Sequence, residues 1–173
     1  MNDKVKSVIV LTVICLVVTA LLAVTNSFTA PIIKAAREQK VRDSLKAVLP
    51  DMDEPIEVTL PEGAPSRVKA VYMDDKNEYA VVLATTSAYS SGDMGITVGI
   101  SAEGEILGVT LTSYFESKDF GRDTYPQKYV GLNAAEAEAV DVFSGVTYSS
   151  KAFKAALADA FAVIELIKGG EGK

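Results

Sequence analysis

The sequence predicts an α+β protein: a single N-terminal transmembrane helix, then one domain with an antiparallel sheet flanked by helices. Three observations favour this class. They are an uncharged apolar run near the start, two pairs of alternating segments in the middle, and an amphipathic stretch near the end. With 173 residues, the chain is long enough for one domain and an appendage.

The apolar run at residues 8–24 carries no charged side chain. A helix from Ser7 to about Phe28 would be about 31 Å long, which matches the hydrocarbon thickness of a bilayer. The run is long for the apolar region of a signal peptide, and no small-residue cleavage site of the usual kind follows it. We therefore expect residues 1–28 to be a retained anchor. Basic residues lie on both sides of it, so the charge pattern leaves its topology open.

Residues 29–66 are expected to form a helix and a connector. Pro31 suits the first turn of a helix, and apolar residues recur at near-helical spacing until Pro50 ends the pattern. Residues 50–66 contain four prolines and five acidic residues, which is typical of an exposed connector, here with one short strand.

The third segment, residues 67–173, begins with two hairpins. Alternating residues at 68–72 and 79–85 flank the turn DDKNE, and those at 96–101 and 105–112 flank AEG, where Gly104 can adopt a positive φ. Together they predict a four-stranded antiparallel sheet. A polar loop over 115–129 follows, then a short helix over 133–140. The last helix is expected from about Ser149 to Lys168.

Composition excludes several kinds of site. The chain has no histidine, and its one cysteine, Cys15, lies in the apolar run, so zinc–histidine sites, thiolate metal sites, disulfides and Ser-His-Asp or Cys-His catalysis are excluded. We expect no metal and no catalytic residues. Residues 1–50 hold 7 Lys and Arg against 3 Asp and Glu, and the remainder hold 10 against 20. This acidic body argues against nucleic-acid binding.

Residues 141–153, DVFSGVTYSSKAF, place five hydroxyl side chains before the last helix: Ser144, Thr147, Tyr148, Ser149 and Ser150. One interpretation is a turn at Ser144 and Gly145, with Ser149 as the helix N-cap. The other is a phosphate at the same place. A helix start offers N–H donors and a positive dipole end, and Gly145 leaves room for a group near the backbone.

The run Ser144-Gly145-Val146-Thr147, preceded by Asp141, resembles the flavinylation motif D-x-x-[ST]-G-A-[ST]. That motif belongs to the FMN-binding domain found in the G subunit of the Rnf electron-transport complex and in the related flavin-carrying component of the sodium-translocating NADH:quinone reductase. The resemblance implies that Thr147 carries FMN through a phosphoester bond made by a flavin transferase that uses FAD.

Order along the chain supports the resemblance over about residues 68–166. AYSSGDMGITVGIS, AEGEILGVTLT and YFESKDFG follow one another as the corresponding segments do in that family. Three departures stand out: Val146 replaces an alanine, Tyr114 stands where histidine is expected, and residues 117–120 replace Thr-Pro-Gly-Leu. Glu116 and Gly121 are the clearest retained positions of the loop.

The resemblance also implies a set of flavin contacts. Besides Thr147, the residues that match the family's site or could stack on the ring are Ser144, Gly145, Val146, Tyr114, Glu116, Ser117, Phe120, Gly121 and Tyr89. For the acidic residues the other interpretation is a solvated loop, and for the aromatic residues it is core packing.

The function implied by the resemblance is electron relay within an Rnf-type complex that couples ferredoxin and NAD to sodium or proton transport. The domain would be extracytoplasmic, its partners would be other membrane and redox subunits, and no independent catalysis is expected. Two alternatives remain open. One is a membrane-anchored extracytoplasmic interaction module without a cofactor, and the other is an FMN-binding regulatory or maturation protein outside Rnf.

Overall fold

A computed structural model describes residues 3–52, 54–87, 91–115, 121 and 123–170. The chain divides into two compact units, Met1–Lys40 and Val41–Lys173. The boundary between them falls inside the first helix, α1, which runs from Asp3 to Val48. The α+β class with an apolar N-terminal helix is confirmed.

Helix α1 contains a stretch long and apolar enough to cross a membrane, and the side chains of that stretch are exposed. Its hydroxyl groups are satisfied within the helix, since Thr12 Oγ1 donates to Val8 O at 2.9 Å and Thr19 Oγ1 to Cys15 O at 2.7 Å. A spanning helix must pair its polar groups internally in this way because lipid offers no partners.

The predicted helix start at Pro31 is wrong, because this proline lies inside α1. A helix terminus leaves about four N–H or four C=O groups unpaired, whereas a proline inside a helix removes one N–H. Near a membrane the single loss is the smaller cost, so the anchor and the following helix form one element.

The four predicted strands are confirmed, and the short strand expected in the connector adds a fifth. The strands are β1 (Ile56–Val58), β2 (Val68–Met73), β3 (Tyr79–Thr85), β4 (Met94–Ile100) and β5 (Ile106–Ser113). All neighbours are antiparallel and the order is β1-β2-β3-β4-β5, so the sheet is a simple meander.

In the part of the chain that the structure describes, two α-helices and one 3₁₀ turn follow the sheet: the turn Pro126–Tyr129, α2 (Ala134–Ala139) and α3 (Thr147–Gly170). The short helix α2 is confirmed, and Asn133 begins it with a capping box that includes Glu136. Helix α3 begins two residues before the predicted Ser149, so the prediction of Ser149 as N-cap is wrong.

Strand β4 is buried along its whole length because both faces of the sheet are covered. On the inner face, Ile96 and Val98 belong to a core cluster that includes Phe153 and Leu157 of α3. On the outer face, the end of α1 packs against small residues. A Cβ at Gly99 would lie 2.9 Å from Val48 O, so the helix backbone lies too close for a side chain there.

The direction of α3 fixes where its start lies. Lys168 Nζ donates to Ala102 O at 2.7 Å, so the last turn of α3 is next to the turn between β4 and β5. A helix of 24 residues is about 36 Å long, whereas a strand of seven is about 23 Å long. Thr147 therefore lies toward the opposite end of the sheet, the end at which β5 finishes.

Candidate functional site

The hydroxyl-rich segment before α3 separates into exposed and buried side chains. Ser144, Thr147 and Tyr148 are exposed, whereas Ser149 and Ser150 are buried inside the helix. The first helical hydrogen bond runs from Ser150 N to Val146 O at 3.1 Å, so Thr147 is the first helical residue. The five hydroxyls therefore do not share one role.

A turn precedes the helix and presents its tip to solvent. Val146 N donates to Phe143 O at 3.2 Å, and Gly145, the third residue of this turn, has a φ of +85°. Ser144 has a negative φ, so the sign pattern is that of a type II turn, which favours glycine at its third position. Apart from its two chain neighbours, no described atom lies within 4 Å of where a Cβ on Gly145 would be, so the described part of the chain leaves the space beside it open.

Ser150 links this turn to the helix through two hydrogen bonds. Its Oγ accepts from Phe143 N at 3.1 Å and donates to Val146 O at 3.0 Å, and its side chain is fully buried. This explains why Ser149 is not the cap. The Ser150 hydroxyl, which belongs to the first turn of α3, hydrogen-bonds to both ends of the preceding turn. Helical geometry can therefore begin at Thr147.

An aromatic cluster packs against Phe143, the first residue of the turn. Phe143 meets the edge of Tyr125 with ring centroids 5.8 Å apart, and Tyr125 OH donates to Asp141 O at 3.1 Å. Tyr129 OH donates to Tyr125 OH at 2.8 Å. Burial raises the pKa of both tyrosines, so both hydroxyls stay protonated and remain donors at neutral pH.

Tyr125 and Tyr129 were not predicted as site residues, because they lie in the segment expected to be a polar loop. A signal was present, because the two tyrosines are four residues apart around Pro126, the first residue of the 3₁₀ turn. That spacing puts them on one side of a helical turn. Both are fully buried.

Gly121 lies beside the same turn. Its φ is +71°, and its carbonyl accepts from Thr124 N at 2.8 Å and Tyr125 N at 2.7 Å. A Cβ on Gly121 would lie 3.6 Å from Phe143 Cε2. The structure thus brings together Gly121 and the segment that contains Thr147.

Tyr114 has a different environment. It is half-buried, packs against the main core, and lines a cavity of about 350 Å³ together with Asp123, Gln127 and the end of β5. Val146 also packs against the core with part of its surface, so the valine in place of alanine contributes to folding.

Four predicted flavin contacts lie outside the described residues: Tyr89, Glu116, Ser117 and Phe120. Among the residues that the structure describes, no three Asp, Glu, His or Cys side chains are grouped so that they could hold a metal ion.

Two family models match the chain. The model of the FMN-binding domain matches residues 90–162, and that of the RnfG N-terminal region matches residues 2–48. The chain therefore contains an FMN-binding domain, together with an N-terminal region similar to that of RnfG. Residues 90–162 include the turn before α3 and most of that helix, and residues 2–48 end with α1, which supports the assignment of its apolar stretch as a membrane anchor. No curated protein matches the chain.

The segment fits the phosphate of FMN. Thr147 is exposed at the first turn of a 24-residue helix, where N–H groups and the helix dipole favour an anion. The exposed Lys151 is four residues further on, and hence on the same side of the helix as Thr147. Gly145 leaves the neighbouring space open.

Proposed function

We propose that Thr147 carries FMN through a phosphoester bond, and that this chain relays electrons between other subunits of an Rnf-type complex. One observation supports the attachment residue above all. Thr147 is the exposed hydroxyl at the first residue of a long helix, directly after an exposed glycine turn, within an FMN-binding domain.

In the attachment step, a flavin transferase brings FAD to the turn. Thr147 Oγ1 would form a bond to the phosphorus atom of the FMN half as the bond between the two phosphates of FAD breaks. AMP would leave, and the hydroxyl proton would pass to solvent. The phosphodiester keeps one negative charge, which the start of α3 and Lys151 stabilise.

The bound flavin supplies one-electron and two-electron transfer. This chain supplies position. The tip of the turn is exposed, so it buries little of a cofactor, and a covalent bond prevents the dissociation that such a site would otherwise allow. The anchor restricts the domain to the membrane surface, which raises its effective concentration near membrane partners.

We place the domain on the extracytoplasmic side, with ferredoxin and NAD as the ends of the electron path and sodium or proton export as the coupled process. A single cysteine cannot hold an iron–sulfur cluster of the usual four-thiolate kind, so those steps belong to other subunits.

The attachment is tested in the full-length protein co-expressed with a flavin transferase. The denatured wild-type band should fluoresce in a gel, and its intact mass should exceed that of the amino acids by one FMN. Thr147→Ala should abolish both signals, and Thr147→Ser should retain them because it keeps the hydroxyl. Tyr148→Phe is the matched control, since it removes the exposed hydroxyl next to Thr147 and should leave labelling intact.

Fluorescence that persists in the Thr147→Ala band would overturn the attachment residue. The relay is tested by copurification, since the labelled chain should purify from its native membrane with other redox subunits. A labelled chain that purifies alone would favour a regulatory or maturation protein, and an unlabelled native chain would favour an interaction module without a cofactor.

A further inference from the structure

We propose that Ser150 is a positioning residue for flavin attachment: its buried hydroxyl holds the preceding turn so that Thr147 Oγ1 is presented to the transferase. This inference rests on the proposed function. Ser150 does not touch the flavin in this scheme and acts through the backbone on both sides of the glycine turn.

The geometry gives Ser150 two contacts with the turn. Its Oγ accepts the N–H of Phe143, the first residue of the turn, at 3.1 Å. The same oxygen donates to the carbonyl of Val146, the last residue of the turn, at 3.0 Å. One side chain therefore closes the turn and joins it to α3 immediately before Thr147.

Ser150 is itself held rigidly. It is fully buried and lies beside Tyr125, whose hydroxyl accepts a hydrogen bond from Tyr129 OH at 2.8 Å. Tyr125 in turn donates to Asp141 O, two residues before the turn. The core thus fixes the segment at its beginning through Tyr125 and at its end through Ser150.

Among the residues that the structure describes, little else holds the exposed part of the segment. Ser144 and Gly145 are exposed, and no described atom beyond the chain neighbours lies within 4 Å of where a Cβ on Gly145 would be. If Ser150 lost its hydroxyl, Phe143 N–H would lose its partner and the turn would sample other conformations. Group transfer requires close alignment of the attacking oxygen with phosphorus, so the labelling rate should fall.

The test is a time course of flavin incorporation into full-length protein with purified transferase and FAD, at a temperature where every variant is folded. Ser150→Ala should be labelled roughly tenfold more slowly than wild type, because two hydrogen bonds to the turn are lost. Ser150→Cys keeps a weak donor and acceptor of similar shape and should be labelled at an intermediate rate. Tyr125→Phe should slow labelling by a smaller factor.

The matched control is Ser44→Ala. Ser44 is also a buried serine with two hydrogen bonds, since it donates to Val41 O at 2.8 Å and accepts from Thr97 Oγ1 at 3.0 Å. It lies on the outer face of the sheet, away from the turn. Its loss should lower the thermal midpoint about as much as Ser150→Ala does, yet leave the labelling rate unchanged.

Equal labelling rates for Ser150→Ala and Ser44→Ala, with wild type fully labelled, would overturn this inference and leave the proposed function standing. An unlabelled wild-type chain would overturn both. A slower rate in Ser150→Ala alone, with partial rescue by Ser150→Cys, is the result we expect.

Discussion

Two turns of this molecule are each held by one buried side chain that hydrogen-bonds to the backbone. In the hairpin turn between β2 and β3, Asp74 Oδ1 accepts from Lys76 N at 3.0 Å and Glu78 N at 2.8 Å. In the turn before α3, Ser150 Oγ accepts from one backbone group and donates to another. Each turn also contains a residue of positive φ, Asn77 at 59° and Gly145 at +85°.

The two turns differ in charge and in how completely the buried group is satisfied. Ser150 is neutral, and its oxygen both donates and accepts. Asp74 is only 4% exposed, and its Oδ2 is buried without a hydrogen-bond partner among the described residues. Asp74 also lines a cleft of about 620 Å³ with Asp51, Glu54 and Asp75. Removing Asp74 leaves two backbone N–H groups without a charged acceptor, so it should cost more than removing the neutral Ser150 hydroxyl.

The largest expected effect is that of Asp74→Ala, which should lower the free energy of unfolding by about 2 to 4 kcal/mol. Two backbone N–H groups lose a charged acceptor, and the replacement cannot close the turn. The measurement is urea unfolding of full-length protein in detergent, followed by tyrosine fluorescence.

Ser101→Ala is the control for Asp74→Ala. Ser101 begins the turn between β4 and β5, is also buried, and its Oγ accepts from Glu105 N at 3.2 Å. It makes one such bond without a charge, so its loss should cost about 1 kcal/mol. Equal losses in the two variants would show that the charge and second bond of Asp74 add nothing.

A comparison of Gly145→Ala with Gly63→Ala separates the cost of backbone strain from an effect on flavin attachment. Gly145→Ala should cost about 1 kcal/mol because alanine adopts a positive φ poorly, and no neighbouring atom adds a clash. Gly63→Ala should cost the same, since Gly63 has a φ of +88° and equally open surroundings. Only Gly145→Ala should slow flavin attachment, as measured by the same time course. Slower labelling in both variants would mean that lost stability alone controls it.

The sequence alone correctly predicted the elements whose signals come from neighbouring residues. Alternation predicted the two hairpins, the positive φ of Gly104 was foreseen and is +90°, and the short helix predicted over 133–140 is α2. Each of these features depends on residues within a few positions of one another, so the chain carries the information locally.

The wrong predictions concern features that depend on the surroundings of a segment as well as on its own residues. Pro31 looked like a helix start because proline favours that position, but the cost of a break in an apolar helix outweighs that preference. Ser149 looked like a cap because capping rules use neighbouring side chains, whereas the start of α3 depends on Ser150 and the tyrosines beneath it. The sequence motif could single out Thr147 as the proposed attachment residue, but it could not show the packing beside which this exposed residue lies.

The smallest expected effect on stability concerns Glu78, the last residue of the hairpin turn between β2 and β3. Burial, and then the neighbouring charge of Asp74, raise the pKa of Glu78 above its usual value of 4.5. Because its pKa is raised in the folded state, the contribution of Glu78 to stability is fully present below about pH 4.5 and is lost as the pH rises through the folded-state pKa.

Ionised Glu78 therefore destabilises the fold slightly at pH 7, and Glu78→Gln should raise the thermal midpoint there but not near pH 4. A gain from Glu78→Gln that is the same at both pH values would contradict the electrostatic explanation and reduce the difference between the two turns to hydrogen-bond geometry.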